Sequence, residues 1–129
     1  MFSGSFGTFT SVTDSFFAFA SFCIASSLIY TLNDWRDRHD DIHHPIKRLR
    51  PIASAELTAR QVAFHALTLS LFLILILSIW IHHIFAYAIL IIYLLINCLY
   101  SFGIKSITVL GILTVASGFV LRVLYGAVI

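Results

Sequence analysis

The sequence predicts an all-α, polytopic membrane protein, a helical bundle of about four transmembrane helices that is part of a larger bundle. Three observations carry that reading. The 129 residues are 60% hydrophobic and only 11% charged, where a soluble domain carries about 25% charge. The charges are also clustered. No Asp, Glu, Lys or Arg falls between Asp14 and Asp34, and none between Arg60 and Lys105. A bilayer core of ~30 Å takes about 20 helical residues, so the first gap holds one span and the second, twice as long, holds two. A fourth span fits after Lys105. The expected spans are about 15–33, 61–81, 84–101 and 107–129, with a charged motif loop at about 34–60.

Taken in order, "MFSGSFGTFTS" reads as a short irregular lead-in without the basic n-region or small-residue cleavage site of a cleavable signal. The first span follows, with the small residues Ala25 to Ser27 suited to close helix approach. After the loop, "SAELTARQ" opens the second span, with Ser54 or Thr58 as its cap. His82 and His83 mark the turn of the hairpin. The last span carries a second small-residue group, Ala116 to Gly118, and one intramembrane charge, Arg122. Charge at that depth is costly, so Arg122 is expected either to face a cavity or a partner or to snorkel to the outer interface. Cys23 and Cys98 fall at different depths and are expected to stay unpaired.

The bases set the expected orientation. Arg36, Arg38, Lys47, Arg48, Arg50 and Arg60 lie in or beside the first loop and Lys105 in the next one on that side, while the other side has no Lys or Arg. The positive-inside rule puts these loops in the cytoplasm of a multi-pass protein of the cytoplasmic membrane. Nothing in the pattern suggests a nucleic-acid surface, so no nucleic-acid partner is expected.

The chemistry is concentrated in "NDWRDRHDDIHHPIKRLRPIAS", residues 33 to 54. Asp34, Asp37 and Asp41 are spaced i, i+3, i+7, which brings them within roughly 60° of one another on a helix. Carboxylates on one stripe repel and need a cation. An oxygen-rich set of this kind suits magnesium, which keeps its waters and is shared with substrate phosphates. Asp40 lies off the stripe, and Asn33 sits at its edge, placed to orient a carboxylate or a metal-bound water. Pro45 ends the helix. The basic loop behind it can fold back to clamp phosphates through Lys47 and Arg50, with Arg48 as a membrane anchor. His39 and His43 are spaced for zinc, but no further ligand completes a site. A second polar patch, Tyr100 to Lys105, ends the third span on the same side.

These residues resemble a known family. "NDWRDRHDD" is similar to the Asn-Asp-x-x-Asp-x-x-x-Asp motif of the UbiA-type intramembrane prenyltransferases, and "HPIKRLRPIAS" resembles the segment that follows it there. "YSFGIK" resembles the family's Tyr-x-x-x-x-Lys loop. "ASGFVLRVLYGA" most resembles the decaprenyl-phosphate phosphoribosyltransferase branch. The resemblance covers nearly the whole chain. It implies metal ligation by Asp34, Asp37 and Asp41, which serve as the catalytic carboxylates. It also implies diphosphate binding by Asn33, Lys47, Arg50, Tyr100, Lys105 and Arg122.

The implied activity is Mg2+-dependent transfer on a polyprenyl (di)phosphate with a diphosphate-bearing or acceptor co-substrate. In the nearest branch, phosphoribose passes from phosphoribosyl diphosphate to a polyprenyl phosphate. Full members have about nine membrane helices and two facing acidic motifs. Here the one acid after Asp41 is Glu56, and Gly111 stands where the branch often has Asp. The chain therefore reads as an N-terminal-half fragment, inactive alone and completed by a C-terminal half or by a homo-oligomer. Two alternatives remain, a fragment of a UbiA-type aromatic prenyltransferase and a non-catalytic membrane subunit for binding or assembly.

Overall fold

A computed structural model describes residues 9–81, 84–102 and 108–128. The described residues form four long helices, α1 (Phe9–Asp41), α2 (Ala59–Trp80), α3 (Ile84–Phe102) and α4 (Thr108–Val128), and a short 3₁₀ turn at Lys47–Leu49. All four helices are long and apolar enough to cross a membrane. At 1.5 Å per residue the shortest measures ~28 Å, close to a bilayer core. Their outer faces carry Phe64, Leu71, Ile74, Phe85, Leu95 and Phe119, all exposed, as lipid contact requires. The hairpin histidines His82 and His83, residues 1–8 of the lead-in and Lys105 lie outside the described residues.

The first helix outruns its expected span of about 15–33 at both ends, and it begins at Phe9, inside the segment read as an irregular lead-in. α1 does not stop near 33 but continues to Asp41, so the first part of the expected loop 34–60 is helix. No Gly or Pro interrupts residues 33–41. The helix ends because Pro45 lacks the N–H that would bond the Asp41 carbonyl. The chain tightens instead, with His43 N–H donating to the Asp40 carbonyl and His44 N–H to that of Asp41. At the far end of the loop the cap is Thr58. Its side chain accepts from Gln61 N–H, and the Gln61 side chain accepts from Thr58 N–H, a reciprocal box that satisfies two helix-start donors.

α1 packs against each of the other three helices. Its buried face carries Ala18, Ser21, Phe22, Ala25 and Ile29. Phe22 packs against Tyr93 of α3 and Tyr125 of α4, with ring centroids 4.5 and 5.6 Å away. Both phenols are satisfied by serines of α1: Ser26 lies 3.0 Å from the Tyr93 hydroxyl and Ser21 2.8 Å from that of Tyr125. In an apolar slab each such pair removes an otherwise unmet polar group. Gly118 of α4 faces the Tyr93 ring, where an added Cβ would sit 3.7 Å away. The two small-residue groups therefore meet around one tyrosine. At the opposite end from the charged loop, Phe17 stacks on Trp80 at 3.9 Å. The Tyr87 hydroxyl donates to the carbonyls of Leu77 and Ile81, 2.6 and 2.8 Å away, adding a donor at the C-terminal end of α2. Cys23 and Cys98 are free.

Ala25 is fully buried, whereas Ala116 is exposed. Ala25→Leu is expected to destabilise the bundle by about 1–3 kcal/mol through overpacking. Ala116→Leu should change stability by less than about 0.5 kcal/mol. Thermal unfolding in detergent, followed by circular dichroism, checks both. Equal melting temperatures for the two variants would contradict this packing.

Candidate functional site

The site is built at the charged end of α1. Beyond Asp41 the chain turns back through Pro45, and the ring of His44 organises the return, its Nδ1 accepting from the backbone N–H groups of Ile46 and Lys47 at 3.1 and 3.2 Å. These bonds seed the 3₁₀ turn at Lys47–Leu49. Arg50 leaves that turn in extended conformation and reaches back to α1. Its Nη1 donates to Asp34 Oδ1 at 2.9 Å and lies 3.5 Å from Asp41 Oδ2. Asp34 and Asp41 are seven positions apart, so one guanidinium spans two helical turns of one face.

The two carboxylates differ in surroundings. Asp34 is partly open, while Asp41 is only 5% exposed. Asp41 Oδ2 is buried and makes no hydrogen bond. At 3.5 Å the arginine attracts it without satisfying it. A buried carboxylate oxygen in that state is an open acceptor position.

Several other expected site residues are placed elsewhere. Asn33 Oδ1 accepts from Ser101 Oγ of α3 at 3.1 Å, which puts it on the α1–α3 seam. Tyr100 faces α4, with its ring 3.4 Å from where a Cβ would stand on Gly111. An aspartate there would press on that ring. Lys47 is half-buried on the returning loop and forms no ion pair among the described residues. Arg48 is exposed. Arg122 is exposed on the α4 span, its guanidinium 5.5 Å from the Phe22 ring centroid and 5.4 Å from that of Phe119. Phe22 precedes Asp34 by twelve positions, or ~18 Å along α1, well beyond the reach of one diphosphate. Arg122 instead lines a cavity of about 630 Å³ between α1 and α4, together with Phe19, Phe22, Ser26, Tyr30 and Tyr125. The structure thus joins Asp34, Asp41 and Arg50, places Arg122 apart from them, and packs Tyr100 toward Gly111.

Sequence reasoning missed two contributors, and for His44, which it reads as a neighbour of the site, it missed the role. Ser101 holds Asn33. Arg36 ties the two helix ends, its Nη2 donating to the Phe102 carbonyl at 3.1 Å and its guanidinium 4.6 Å from the centre of the Phe102 ring. His44 acts through its ring nitrogen on the backbone, a role no motif spacing announces.

A family model for the UbiA prenyltransferase family matches residues 1–129. The chain belongs to that family. Among its relatives, the decaprenyl-phosphate phosphoribosyltransferase of Mycolicibacterium smegmatis is 39% identical over 111 residues, covering 86% of this chain and 34% of the relative. The enzyme of that name from Corynebacterium glutamicum is 34% identical over 122 residues, covering 91% of this chain and 35% of the relative. The nodulation protein NoeC of Azorhizobium caulinodans is 54% identical over 41 residues, covering 32% of this chain and 13% of the relative. The chain spans about a third of the length of the two phosphoribosyltransferases it matches. No solved structure matches it.

UbiA-family enzymes generally depend on a divalent metal. Among the described residues, no three carboxylate, imidazole or thiol groups converge closely enough to hold a metal by themselves. The donor chemistry nevertheless fits a hard cation: Asp34 and Asp41 offer oxygens on one face, and Asp41 Oδ2 is an unmet acceptor. Arg50 supplies the positive charge between them. In this UbiA-family chain, removing Arg50 leaves two crowded carboxylates without their shared cation. Because Arg50 and Asp34 are partly solvated, Arg50→Ala is expected to cost about 1–2 kcal/mol locally. Amide hydrogen exchange over residues 47–57 should quicken by about tenfold, while Arg48→Ala should leave it unchanged. Unaltered exchange in Arg50→Ala would show that the pair does not hold the loop.

Proposed function

We propose that this chain forms the metal- and diphosphate-binding portion of a membrane transferase acting on a polyprenyl phosphate, with phosphoribosyl diphosphate as the co-substrate. Support comes from the relatives' names and coverage. The observation that carries the reading is the Asp34–Arg50–Asp41 cluster, in which a loop cation is already held on the aspartate face. Asp34, Asp37 and Asp41 would hold Mg2+, and bound magnesium would neutralise the leaving diphosphate. Arg50 then leaves the carboxylates for the phosphate oxygens, where its planar fork binds two at once. Lys47, on the same turn, adds a point charge. Transfer makes a bond from a polyprenyl phosphate oxygen to the anomeric carbon and breaks the bond from that carbon to the diphosphate. The residues named above bind and neutralise the departing group.

The cavity between α1 and α4 suits the polyprenyl tail, since Phe19 and Phe22 supply apolar wall and its depth is that of the membrane. The Lys/Arg bias puts the motif loop on the cytoplasmic side of the cytoplasmic membrane. Within these 129 residues Glu56 is the one acid after Asp41. The chain by itself is therefore expected to bind metal and diphosphate without turning over substrate. A facing acidic surface, from further helices or a second copy, completes the site.

Calorimetry in nanodiscs with magnesium and inorganic diphosphate tests this reading. Asp34→Asn, Asp37→Asn and Asp41→Asn should each weaken diphosphate binding by about tenfold, equivalent to about 1.4 kcal/mol. Asp40→Asn, which is off the stripe, should change it by less than about twofold. Equal losses for Asp40→Asn and Asp37→Asn would overturn the proposal.

A further inference from the structure

The charged end of α1 carries a second cationic pocket at its seam with α3; Arg38 stems ~40° around the helix from Asp34 and folds over Trp35 to reach it. Trp35 and Arg36 lie ~100° and ~200° around the helix from Asp34, facing the seam with α3. Arg36 and Arg38 are the polar wall of a pocket of about 350 Å³ between the two helices. Ile29 and Leu32 form its apolar floor. Neither arginine is in an ion pair among the described residues, whereas Arg50 has taken Asp34 and Asp41. Each holds an aromatic ring and one carbonyl instead. Arg36 uses Phe102 for both, and Arg38 donates to the Trp35 carbonyl at 2.6 Å with its guanidinium 3.8 Å from the Trp35 ring centre. A guanidinium has five N–H donors, so most of them stay available at the pocket mouth.

We propose that this pocket binds an anionic phospholipid, its phosphate between Arg36 and Arg38 and its acyl chain against Ile29 and Leu32. From Ile29 to Arg38 is ~13 Å along α1, and polarity rises steadily over that distance. It matches an amphiphile lying parallel to the helix with its head at the charged end. Two guanidinium groups held by ring stacking are pre-oriented donors for a phosphate. Trp35 takes the interfacial position that tryptophan favours in membrane proteins. Charge selects the occupant: a zwitterionic lipid gains little from two unpaired cations, and an anionic one gains from both. The site differs from the diphosphate site in its residues, because it opens on the α1–α3 seam and uses none of Asp34, Asp41, Lys47 or Arg50. A filled pocket also braces the α1–α3 seam, where Ser101 holds Asn33 beside Asp34.

The chain has two tryptophans, Trp35 and Trp80, so Trp80→Phe leaves Trp35 as the single reporter and keeps an aromatic against Phe17. In phosphatidylcholine nanodiscs, brominated phosphatidylglycerol should quench Trp35 at about a tenth of the mole fraction that brominated phosphatidylcholine requires. Arg36→Gln combined with Arg38→Gln should abolish that preference, and inorganic phosphate should not displace the lipid. Equal quenching by the two lipids in the Trp80→Phe protein overturns the proposal, and that comparison stands even where the double variant fails to fold. A preference that survives loss of both arginines also overturns it. Relief of quenching by inorganic phosphate would mean that the pocket reads a free anion rather than a lipid.

Discussion

Carboxylates crowded on one helix face cannot stay there without a cation, and the charged end of this molecule is arranged around that constraint. Asp34 and Asp41 are held two turns apart by the helix itself. The cation comes from sixteen residues further on, because Arg50 folds back to bridge them. The fold-back depends on local chemistry: Pro45 ends α1, and His44 collects two backbone donors. The loop is a strap whose buckle is an ion pair. Such a pair is exchangeable in a way that an apolar contact is not. In the proposed function, a metal and a diphosphate together would offer the aspartates a new cation and the arginine a new anion.

The position of that strap is set by the membrane bundle beneath it. α1 is one unbroken helix from the apolar core to the aspartates, so whatever fixes its rotation in the bundle also fixes where the carboxylates point. The fixing is done by Phe22, Ser21 and Ser26, which engage Tyr93 and Tyr125 of two other helices. A hydroxyl pair in an apolar slab has a preferred rotation, which aliphatic packing alone lacks. Nearer the site, Asn33 with Ser101 and Arg36 with Phe102 lock the ends of α1 and α3. Packing, rotation and charge placement are thus one chain of cause along a single helix.

Much of this was legible in the sequence. Four apolar segments separated by charge predict four helices, because a bilayer imposes length and composition more strictly than a soluble core does. The i, i+3, i+7 spacing predicts one carboxylate face, and a basic loop behind Pro45 predicts a returning cation. Other features were not legible. The start of α1 at Phe9 was hidden in a Gly/Ser/Thr-rich segment that reads as an irregular lead-in, whereas its extension to Asp41 is already implied by the aspartate stripe and Pro45. Tyr100 reads as a site residue from its place in "YSFGIK", yet it turns toward Gly111, a choice made by packing between helices distant in sequence. The depth of Arg122 follows from counting along α4. Its seat over Phe22 and Phe119 needs the tertiary fold.

The central claim is that the aspartate face is a cation site in which Arg50 holds the place of a metal. Electron paramagnetic resonance of Mn2+, used in place of magnesium, tests it most directly on the wild-type chain and on Arg50→Gln in nanodiscs. The account predicts a change of sign. Without diphosphate, Arg50→Gln should bind Mn2+ several-fold more tightly than wild type, because a competing cation is gone. With diphosphate, the wild type should gain affinity for the metal and the variant should gain much less, because the arginine no longer receives the anion. Weaker Mn2+ binding by Arg50→Gln in the absence of diphosphate would contradict the account, since Arg50 would then support the metal site and not stand in for its ion.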